Sequence, residues 1–359
     1  MTKNLKIGII GGGIFGVTAA IYLSNFARKI IIFEKNKDII LGATKFNHNR
    51  HHYGYHYPRS YETAQQCLQA KDTFNQIYLK ALDFDFKNYY AIAKENSKIN
   101  SDDFENFCAN NKIKAIKVDI PYRIFNKKNI SKCYLVEEGI YNYEILKKIL
   151  KKRLNQISNI QVLKKSPVNV YLDETKEVKL GKDKKKFNFD LIINATYDNI
   201  NEHIIGKKNK IKMEYNLQEM CKINIPGERF GATVLDGYFP SILPNSGVKG
   251  QYLFAHAKYS QLIKLKSKSK PNSFDMPENF LSNRREIFSN SKKYLKILNN
   301  STYDSSFFVT RAVNIDVLND SRKSEIILHK NGNITIFSGK IISAEHMGLK
   351  LSEYVSKKY

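Results

Sequence analysis

The chain has 359 residues, 42% of them apolar, so it can bury a sizeable core and wholesale disorder is excluded. Its 59 basic and 34 acidic side chains leave a net charge of +25, and the excess lysines form scattered short runs, which favours a solvated surface over a nucleic-acid-binding stripe. The four cysteines form no CxxC pair and no apolar run is long enough to cross a membrane, so we expect a cytoplasmic protein with reduced thiols, no zinc site and no transmembrane segment.

The first 35 residues predict a β-α-β unit. Short branched apolar runs at Lys6–Ile10 and Ile30–Glu34 are typical of buried parallel strands, and Ile14–Phe26 has helical spacing. The glycine-rich turn GGGIFG, residues 11–16, fits G-x-G-x-x-G and lies between the first strand and the helix. An acidic residue, Glu34, closes the second strand. This context, rather than the hexapeptide alone, predicts a dinucleotide-binding site.

Each residue type in this unit has a physical role. Gly11 permits a tight turn, Gly13 lets backbone N–H groups approach a pyrophosphate, and Gly16 lets the helix pack closely on the strand. The helix N-terminus attracts phosphate. The carboxylate of Glu34 can accept hydrogen bonds from a ribose and would repel a 2′-phosphate. The site predicted from this unit comprises Gly11, Gly13, Ile14, Phe15, Gly16, Glu34 and Lys35.

The rest of the chain alternates helical and β-type patterns. Residues 42–60 have no clear element and are rich in His, Tyr, Asn and Arg, while residues 211–265 alternate as strands do. A lysine-rich loop is expected at Lys264–Pro277. The periodicity predicts further helices at Tyr61–Lys80, Tyr143–Ile157, Glu278–Leu298 and Ser343–Ser356, and a buried strand at Leu191–Ala195.

Several motifs resemble those of the D-amino acid oxidase-like FAD-dependent oxidoreductases. The opening GIIGGGIFGVTAAIYLS carries the FAD-type glycine fingerprint, and the segment GATKFNHNRHHYGYHYPRS contains Asn followed by His-x-Gly-x-x-Tyr. The strand DLIINAT is similar to the family's D-x-x-x-x-A-T-G signature, although Tyr197 replaces its glycine. The segment ITIFSGKIIS is similar to a C-terminal Gly-Lys turn.

The resemblance implies FAD as the cofactor. It also implies an α/β fold, in which a Rossmann-like three-layer FAD/NAD(P)-binding domain carries an inserted β-rich (α+β) substrate domain, as in p-hydroxybenzoate hydroxylase. The expected FAD-binding domain comprises residues 1–80, 141–205 and 310–359, and the substrate domain comprises 81–140 and 206–309. The cofactor residues implied beyond the first unit are Thr44, Asn47, Arg50, Val168, Ala195, Thr196, Gly339, Lys340 and Ile341.

Four of the eight histidines fall between His48 and His56, interleaved with tyrosines and arginines. This window either forms a hydrogen-bonded loop under the cofactor or lines the reacting face. A histidine that titrates near neutral pH suits the removal of a hydroxyl proton. His52 is the first candidate for this base and His56 the second. Arg50 and Arg59 could bind an anionic substrate group or, alternatively, the pyrophosphate.

Two further segments supply substrate-site candidates. Arg311 precedes Asp316 as in the family's R-P-x-x-x-D stretch, whose arginine often holds a substrate carboxylate, so the resemblance assigns it to the catalytic site. In the β-rich region, Tyr238, Tyr252, His256 and Tyr259 could form a wall that faces the flavin or could simply pack in the core.

Three functions are compatible with these features. The preferred one is an FAD-dependent oxidoreductase that oxidises a CH–OH or CH–NH group of a small anionic metabolite by hydride transfer to flavin. The alternatives are a flavoenzyme that modifies tRNA or a nucleotide sugar, and a non-catalytic dinucleotide-binding protein. The scattered lysines favour a small-molecule substrate over nucleic acid, and the polar histidine window favours an enzyme over a regulator.

Overall fold

The structure is a computed structural model that describes residues 4–170, 172, 174–180, 185–204, 208–275, 281–315 and 321–359. The helices within these ranges are α1 (Ile14–Leu23), α2 (Tyr61–Tyr78), α3 (Ser101–Asn110), α4 (Tyr143–Asn155), α5 (Arg284–Ser291) and α6 (Ala344–Lys358). The strands are β1 (Leu5–Ile10), β2 (Ala27–Phe33), β3 (Arg50–His51), β4 (Leu82–Asp83), β5 (Lys87–Ala93), β6 (Ala115–Val118), β7 (Ile130–Val136), β8 (Gly139–Tyr141), β9 (Ile160–Leu163), β10 (Val168–Asn169), β11 (Glu177–Leu180), β12 (Lys185–Asn188), β13 (Leu191–Asn194), β14 (Met213–Asn224), β15 (Phe230–Leu235), β16 (Pro240–Pro244), β17 (Gln251–His256), β18 (Gln261–Ser267), β19 (Thr302–Asn314), β20 (Glu325–Leu328) and β21 (Ile334–Phe337).

A six-stranded sheet has the order β20-β21-β13-β1-β2-β9, and all pairs except β20 with β21 are parallel. Both of its faces are buried, which explains why its central strands are apolar throughout rather than alternating. Ile7 and Ile9 of β1 pack with α1 and α6, whereas Ile10 packs with the small sheet β10-β11-β12 on the other face. The result is a three-layer arrangement of helices, parallel sheet and antiparallel sheet.

A second large sheet joins strands from the middle of the chain in the order β18-β14-β17-β16-β15-β5-β7-β6, with β19 paired along the length of β14. Its buried face packs on α5 and on aromatic side chains that include Phe125 and Phe254. β19 lies wholly in this sheet, so the predicted boundary at residue 310 falls inside a strand. The domain limits as such remain a prediction.

Two element predictions differ from the structure. β18 continues to Ser267 where a loop was expected, because pairing with β14 satisfies its backbone while its lysine side chains point outward. The long helix expected at Glu278–Leu298 is instead α5 followed by a 3-10 turn at Lys296–Asn300. Its expected start at Glu278 lies outside the described residues.

Candidate functional site

The glycine turn connects β1 to α1. At two of its positions other backbone atoms lie so close that only glycine fits. Gly11 has a φ of +99°, and a Cβ added there would lie 2.6 Å from the Ala195 carbonyl oxygen. A Cβ on Gly16 would lie 2.0 Å from the carbonyl oxygen of Gly11. A Cβ added at Gly13 would meet no atom beyond its chain neighbours within 4 Å, so open space lies before the first turn of α1, where N–H groups can bind phosphate.

Glu34 follows the last residue of β2 and is almost fully buried. Its Oε2 accepts a hydrogen bond of 2.8 Å from the Gly12 N–H, and its Oε1 accepts one of 2.8 Å from the Asn36 N–H. Oε1 also accepts a hydrogen bond of 2.8 Å from the Asn36 side-chain amide, so the carboxylate is oriented and Oε2 retains capacity for a further donor. This geometry fits a ribose hydroxyl beside the glycine turn.

A cavity of about 670 Å³ joins the glycine turn to the histidine window and to the second large sheet. Its volume lies in the range of small-molecule and cofactor sites. Among the residues assigned from the sequence to cofactor binding or catalysis, Gly16 alone does not line it, because Gly16 packs α1 against the turn. The lining predicted residues are Gly11, Gly13, Ile14, Phe15, Glu34, Lys35, Thr44, Asn47, Arg50, His52, His56, Val168, Ala195, Thr196, Arg311, Gly339, Lys340 and Ile341.

The loop after β2 reaches the cavity through Thr44 and Asn47. The Thr44 hydroxyl accepts a hydrogen bond of 3.5 Å from the Ile14 N–H at the start of α1. The Asn47 amide donates to the Ala43 and Thr44 carbonyls, while its Oδ1 accepts from the Tyr141 hydroxyl at 2.8 Å. Asn47 therefore holds the shape of the cavity wall, since these partners occupy its side chain.

The turn after β13 keeps a glycine-like shape without glycine. Tyr197, which stands where the resemblance expects glycine, has a φ of +55°. Its hydroxyl accepts a hydrogen bond of 3.2 Å from the Ala312 N–H in β19, which anchors the ring. Beside it, the N–H and hydroxyl of Thr196 both bond to Asn194 Oδ1. The left-handed turn thus brings Ala195 and Thr196 to the cavity although Tyr197 is unsuited to that conformation.

Arg50 is buried and its guanidinium is engaged by residues from distant segments. Nη1 donates to Glu138 Oε2 at 2.9 Å and also contacts the Tyr90 hydroxyl. Nη2 donates to Thr233 Oγ1 at 2.8 Å and to Ser241 Oγ at 2.6 Å. Arg50 therefore ties the histidine window to the second sheet, and these partners compete with the predicted anion-binding role.

Glu138 is the principal residue of the site that sequence reasoning missed. It lies between β7 and β8 and its side chain is fully buried. Burial acts to raise the pKa of this carboxyl, but the neighbouring His52, the Arg50 guanidinium and the Tyr90 hydroxyl together hold it well below its usual range. No sequence motif marks Glu138. Only a chemical argument could have indicated an acidic partner, because an arginine buried in the predicted histidine window requires a counter-charge.

Three histidines of the window, His48, His52 and His56, line the cavity, whereas His51 stacks on Phe74 and contacts Asn75 through Nε2. Burial lowers the pKa of His52 and of His48 to about 3, and it also lowers the pKa of His56. The nearby charges of Lys340 and Arg50 act in the same direction on His52. The expectation of a histidine that titrates near neutral pH therefore differs from the structure, in which these rings are neutral.

Lys340, in the turn before α6, is the group in the cavity that titrates near neutrality. Burial and the charge of Arg50 lower its pKa to about 7. Its Nζ lies 4.5 Å from the centre of the Tyr57 ring, and it has no carboxylate partner among the described residues. The adjacent Gly339 N–H donates to Ser324 Oγ at 2.7 Å, so this N–H already has a partner.

Arg311 reaches the cavity from β19. Its Nη1 donates to Gln218 Oε1 at 3.2 Å, and no described carboxylate pairs with it. Its charge contributes to the low pKa of His48, which indicates that the two side chains are near each other. Asp316, its partner in the expected motif, lies outside the described residues.

The second sheet closes the cavity, with one ion pair where the two regions meet. Arg59 pairs with Asp236, which follows β15. His256 lines the cavity as a candidate wall residue, and burial lowers its pKa to about 4. The other three candidates do not line it: Tyr252 is buried in the core of the sheet, Tyr238 is 64% exposed, and Tyr259 packs beside His256.

These features fit an FAD molecule, with the open space at Gly13 for the pyrophosphate and the oriented Glu34 carboxylate for the ribose. Within the described ranges, no group of three His, Cys, Asp or Glu side chains could hold a metal ion. Nor does any helix there have the length and apolar character required to cross a membrane.

Comparison with known proteins places the chain in context. Residues 6–144 match the family model DAO, described as FAD dependent oxidoreductase. The FAD-dependent monooxygenase kojA of Aspergillus flavus is 26% identical over 279 residues, which cover 73% of this chain and 64% of that protein. The match thus spans less than two thirds of the relative's length.

Solved structures share the fold. Glycine oxidase from Geobacillus kaustophilus superposes with a TM-score of 0.73 at 12% identity, covering 99% of this chain and 95% of that one. L-proline dehydrogenase from P. horikoshii gives a TM-score of 0.73 at 14% identity, covering 100% and 95%. These superpositions confirm the predicted fold class, and the match of residues 6–144 to a family of FAD-dependent oxidoreductases supports the predicted cofactor, FAD. Residues 6–144 thus match the DAO family of FAD-dependent oxidoreductases, and the chain as a whole shares its fold with glycine oxidase and L-proline dehydrogenase.

Proposed function

We propose that this protein is an FAD-dependent oxidoreductase that oxidises a CH–OH or CH–NH group of a small anionic metabolite. The observation that carries the proposal is the continuity of the cavity. The same space runs from the glycine turn and Glu34, which suit a dinucleotide, to His52, Lys340 and Arg311, which suit a reacting molecule. A protein that only bound a dinucleotide would not need the second set.

FAD would be held by the first turn of α1, by Glu34, and by the cavity-facing backbone near Val168, Ala195 and Gly339. When bound, this cofactor supplies the acceptor for a hydride. The chain itself must bind and orient the substrate, exclude water and take up the proton that an alcohol substrate releases.

An anionic substrate is favoured by two cations of the cavity. Lys340 and Arg311 both line it, and neither has a carboxylate partner among the described residues. Removing a charged side chain from water is costly unless a partner compensates it. A carboxylate or phosphate of the substrate can supply that partner, and a charge-assisted hydrogen bond to Arg311 would also fix its orientation.

His52 is the side chain best suited to accept the hydroxyl proton. Its ring lines the cavity, and with a pKa lowered to about 3 it is neutral at physiological pH and keeps a lone pair. The charge of Lys340 opposes protonation of His52. A substrate anion beside Lys340 would offset that charge, so binding of the substrate would itself make His52 a stronger base.

A second candidate activity is supported by the Aspergillus relative, whose name describes a monooxygenase. An oxidase or dehydrogenase accepts electrons from its organic substrate, whereas a monooxygenase that uses a nicotinamide reductant would not be reduced by that substrate alone. Anaerobic reduction therefore separates the two activities.

The test uses the FAD-loaded protein under anaerobic conditions. Hydroxy acids, amino acids and sugar phosphates are added one at a time, and the visible absorption band of the flavin is followed; a separate series adds NADH or NADPH. Bleaching by a hydroxy or amino compound supports the proposal. Reduction by the nicotinamide alone favours the monooxygenase, and properly folded protein that takes up no FAD contradicts both.

A further inference from the structure

Glu138 is held so that one of its oxygens faces a cavity histidine. Oε2 accepts from Arg50 at 2.9 Å and from the Tyr90 hydroxyl at 2.5 Å, and Oε1 accepts from the Tyr53 N–H at 2.9 Å. Oε1 also lies 3.6 Å from His52 Nδ1. With three donors fixing it in a fully buried position, the carboxylate cannot turn away from the histidine.

His52 faces this carboxylate with one nitrogen and is free at the other. Nδ1 is buried and has no hydrogen-bond partner, since 3.6 Å to Glu138 is slightly long for a hydrogen bond. Nε2 has no partner among the described residues, and the ring lines the cavity. A proton on Nδ1 gives the carboxylate a donor and leaves the lone pair of Nε2 available to a substrate.

We propose that Glu138 is a positioning residue that holds His52 in its Nδ1–H form and stabilises the imidazolium that forms when Nε2 accepts the substrate proton. The inference deepens the proposed function and rests on it for its catalytic part. As an alcohol is oxidised to a carbonyl, bound FAD would supply the acceptor for the hydride that leaves the C–H bond with its electron pair. The O–H proton passes to His52 Nε2, so electrons and protons balance.

The competing explanation is that Glu138 is only the counter-ion of Arg50. The charged or titratable groups near the His52–Glu138 pair include Arg50, Lys340, His48, His56 and Tyr90. Arg50 neutralises the carboxylate formally, but its guanidinium lies on Oε2, whereas Oε1 faces His52. The two explanations therefore differ in the proton position on His52, which can be measured directly.

The distance of 3.6 Å between Glu138 Oε1 and His52 Nδ1 is compatible with a positioning role for Glu138. Hydrogen bonds of catalytic groups are often long in ligand-free structures and shorten when the site is filled. The same principle operates where a carboxylate fixes the tautomer of a catalytic histidine, and replacement of that carboxylate by its amide reverses the tautomer. In Glu138→Gln the amide oxygen would turn to the charged Arg50 guanidinium rather than to the neutral Tyr53 N–H, because a charge-assisted hydrogen bond is the stronger of the two. The NH₂ group would then face His52 Nδ1 and favour the Nε2–H form.

The experiment records the imidazole nitrogen and carbon-bound proton signals of the FAD-bound protein labelled with ¹⁵N-histidine, at neutral pH. The signals of His52 are identified by their loss in His52→Gln. We expect the Nδ1–H form in the wild type, a change toward Nε2–H in Glu138→Gln, and an unchanged Nδ1–H form in Tyr90→Phe. The last variant removes another hydrogen bond of Glu138 but keeps its charge.

An Nε2–H form in the wild type, or an unchanged tautomer in folded Glu138→Gln, would overturn the proposal. If Glu138→Gln does not fold, Glu138→Asp replaces it, because the charge stays while the carboxylate moves away from His52. A tautomer mixture then supports the proposal, and an unchanged Nδ1–H form counts against it.

A kinetic measurement connects this geometry to activity. With an alcohol that bleaches the flavin, Glu138→Gln should reduce the rate constant of flavin reduction by about 10²–10⁴-fold, the range of general acid–base contributions, with little change in substrate affinity. An unchanged rate constant would refute the catalytic part. The tautomer measurement needs no substrate, so failure of the proposed function, in which no compound bleaches the flavin, is distinguishable from failure of this inference.

Discussion

The two ends of the cavity are built differently. At the dinucleotide end, backbone atoms and glycines within one β-α-β unit form the surface, with Glu34 as the main polar side chain. At the reacting end, side chains from four other segments meet around Arg50. The dinucleotide end depends on space that side chains leave empty, whereas the reacting end depends on paired charges. Added side-chain atoms should therefore damage the first end, and loss of a charge should damage the second.

The largest effect is expected at the reacting end. Arg50→Met should lower the free energy of unfolding by about 3–5 kcal/mol, because it leaves the buried Glu138 without its counter-ion. Arg229→Met, which breaks a partly exposed pair with Asp83, should cost less than about 1 kcal/mol. Urea unfolding measures the free energy of unfolding of both variants. Equal losses would contradict the expectation that the buried pair contributes more than the partly exposed one.

The same variants have a pH dependence with a defined sign. The folded-state pKa of Glu138 is lowered, so the stability it contributes is present above its unfolded pKa and is lost as the pH falls through its folded value. In Arg50→Met, protonation of Glu138 removes the unpaired charge. The difference in stability between wild type and Arg50→Met should therefore shrink on acidification, and a constant difference would argue against Glu138 as the cause.

At the dinucleotide end, Gly16→Ala should destabilise the fold by about 3 kcal/mol, because its Cβ meets the Gly11 carbonyl oxygen. Gly13→Ala has space for its Cβ and should keep the stability of the FAD-free protein while weakening FAD binding. Thermal unfolding and titration with FAD separate the two effects. Equal loss of stability in both variants would show that the space at Gly13 is not reserved for a ligand.

Lys340→Met tests the anionic substrate. Loss of a charge-assisted hydrogen bond of about 1.5–3 kcal/mol should weaken binding of a small dianion such as oxalate by roughly 10–150-fold. Because the pKa of Lys340 is lowered to about 7, oxalate affinity in the wild type should fall as the pH rises through 7 and above. The flavin difference spectrum reports binding, and the exposed Lys357→Met is the control. A pH dependence retained in Lys340→Met would exclude this lysine as its source.

The smallest effect is expected at Tyr197. Because its φ is +55°, Tyr197→Gly should be more stable than Tyr197→Ala by about 1 kcal/mol. At most positions in ordered structure the alanine variant is instead the more stable of the two. Chemical denaturation of the two variants measures the difference, and a more stable alanine variant would show that the turn changes shape when the tyrosine is removed.

What could be predicted from the sequence follows the same division. The roles of Gly11 and Glu34 are local, because a strand, a turn and a helix contiguous in sequence determine their geometry, and the structure places both at the cavity. Glu138 could not be found this way, since its partners Arg50, Tyr90 and His52 come from segments that only the folded chain brings together. Burial also changes chemistry that composition cannot show, so that Lys340 rather than a histidine titrates near neutral pH.

The strand order of the parallel sheet affects how the cofactor cleft is assembled. β1 pairs with β13, and β13 pairs with β21, so neighbours in the sheet are separated by long stretches of chain. Pairing over such separations requires costly loop closure and is slow to form. We therefore expect the proposed FAD cleft to be complete only after β21 has left the ribosome. Full capture of the cofactor would then be a late event, one that stabilises the finished arrangement.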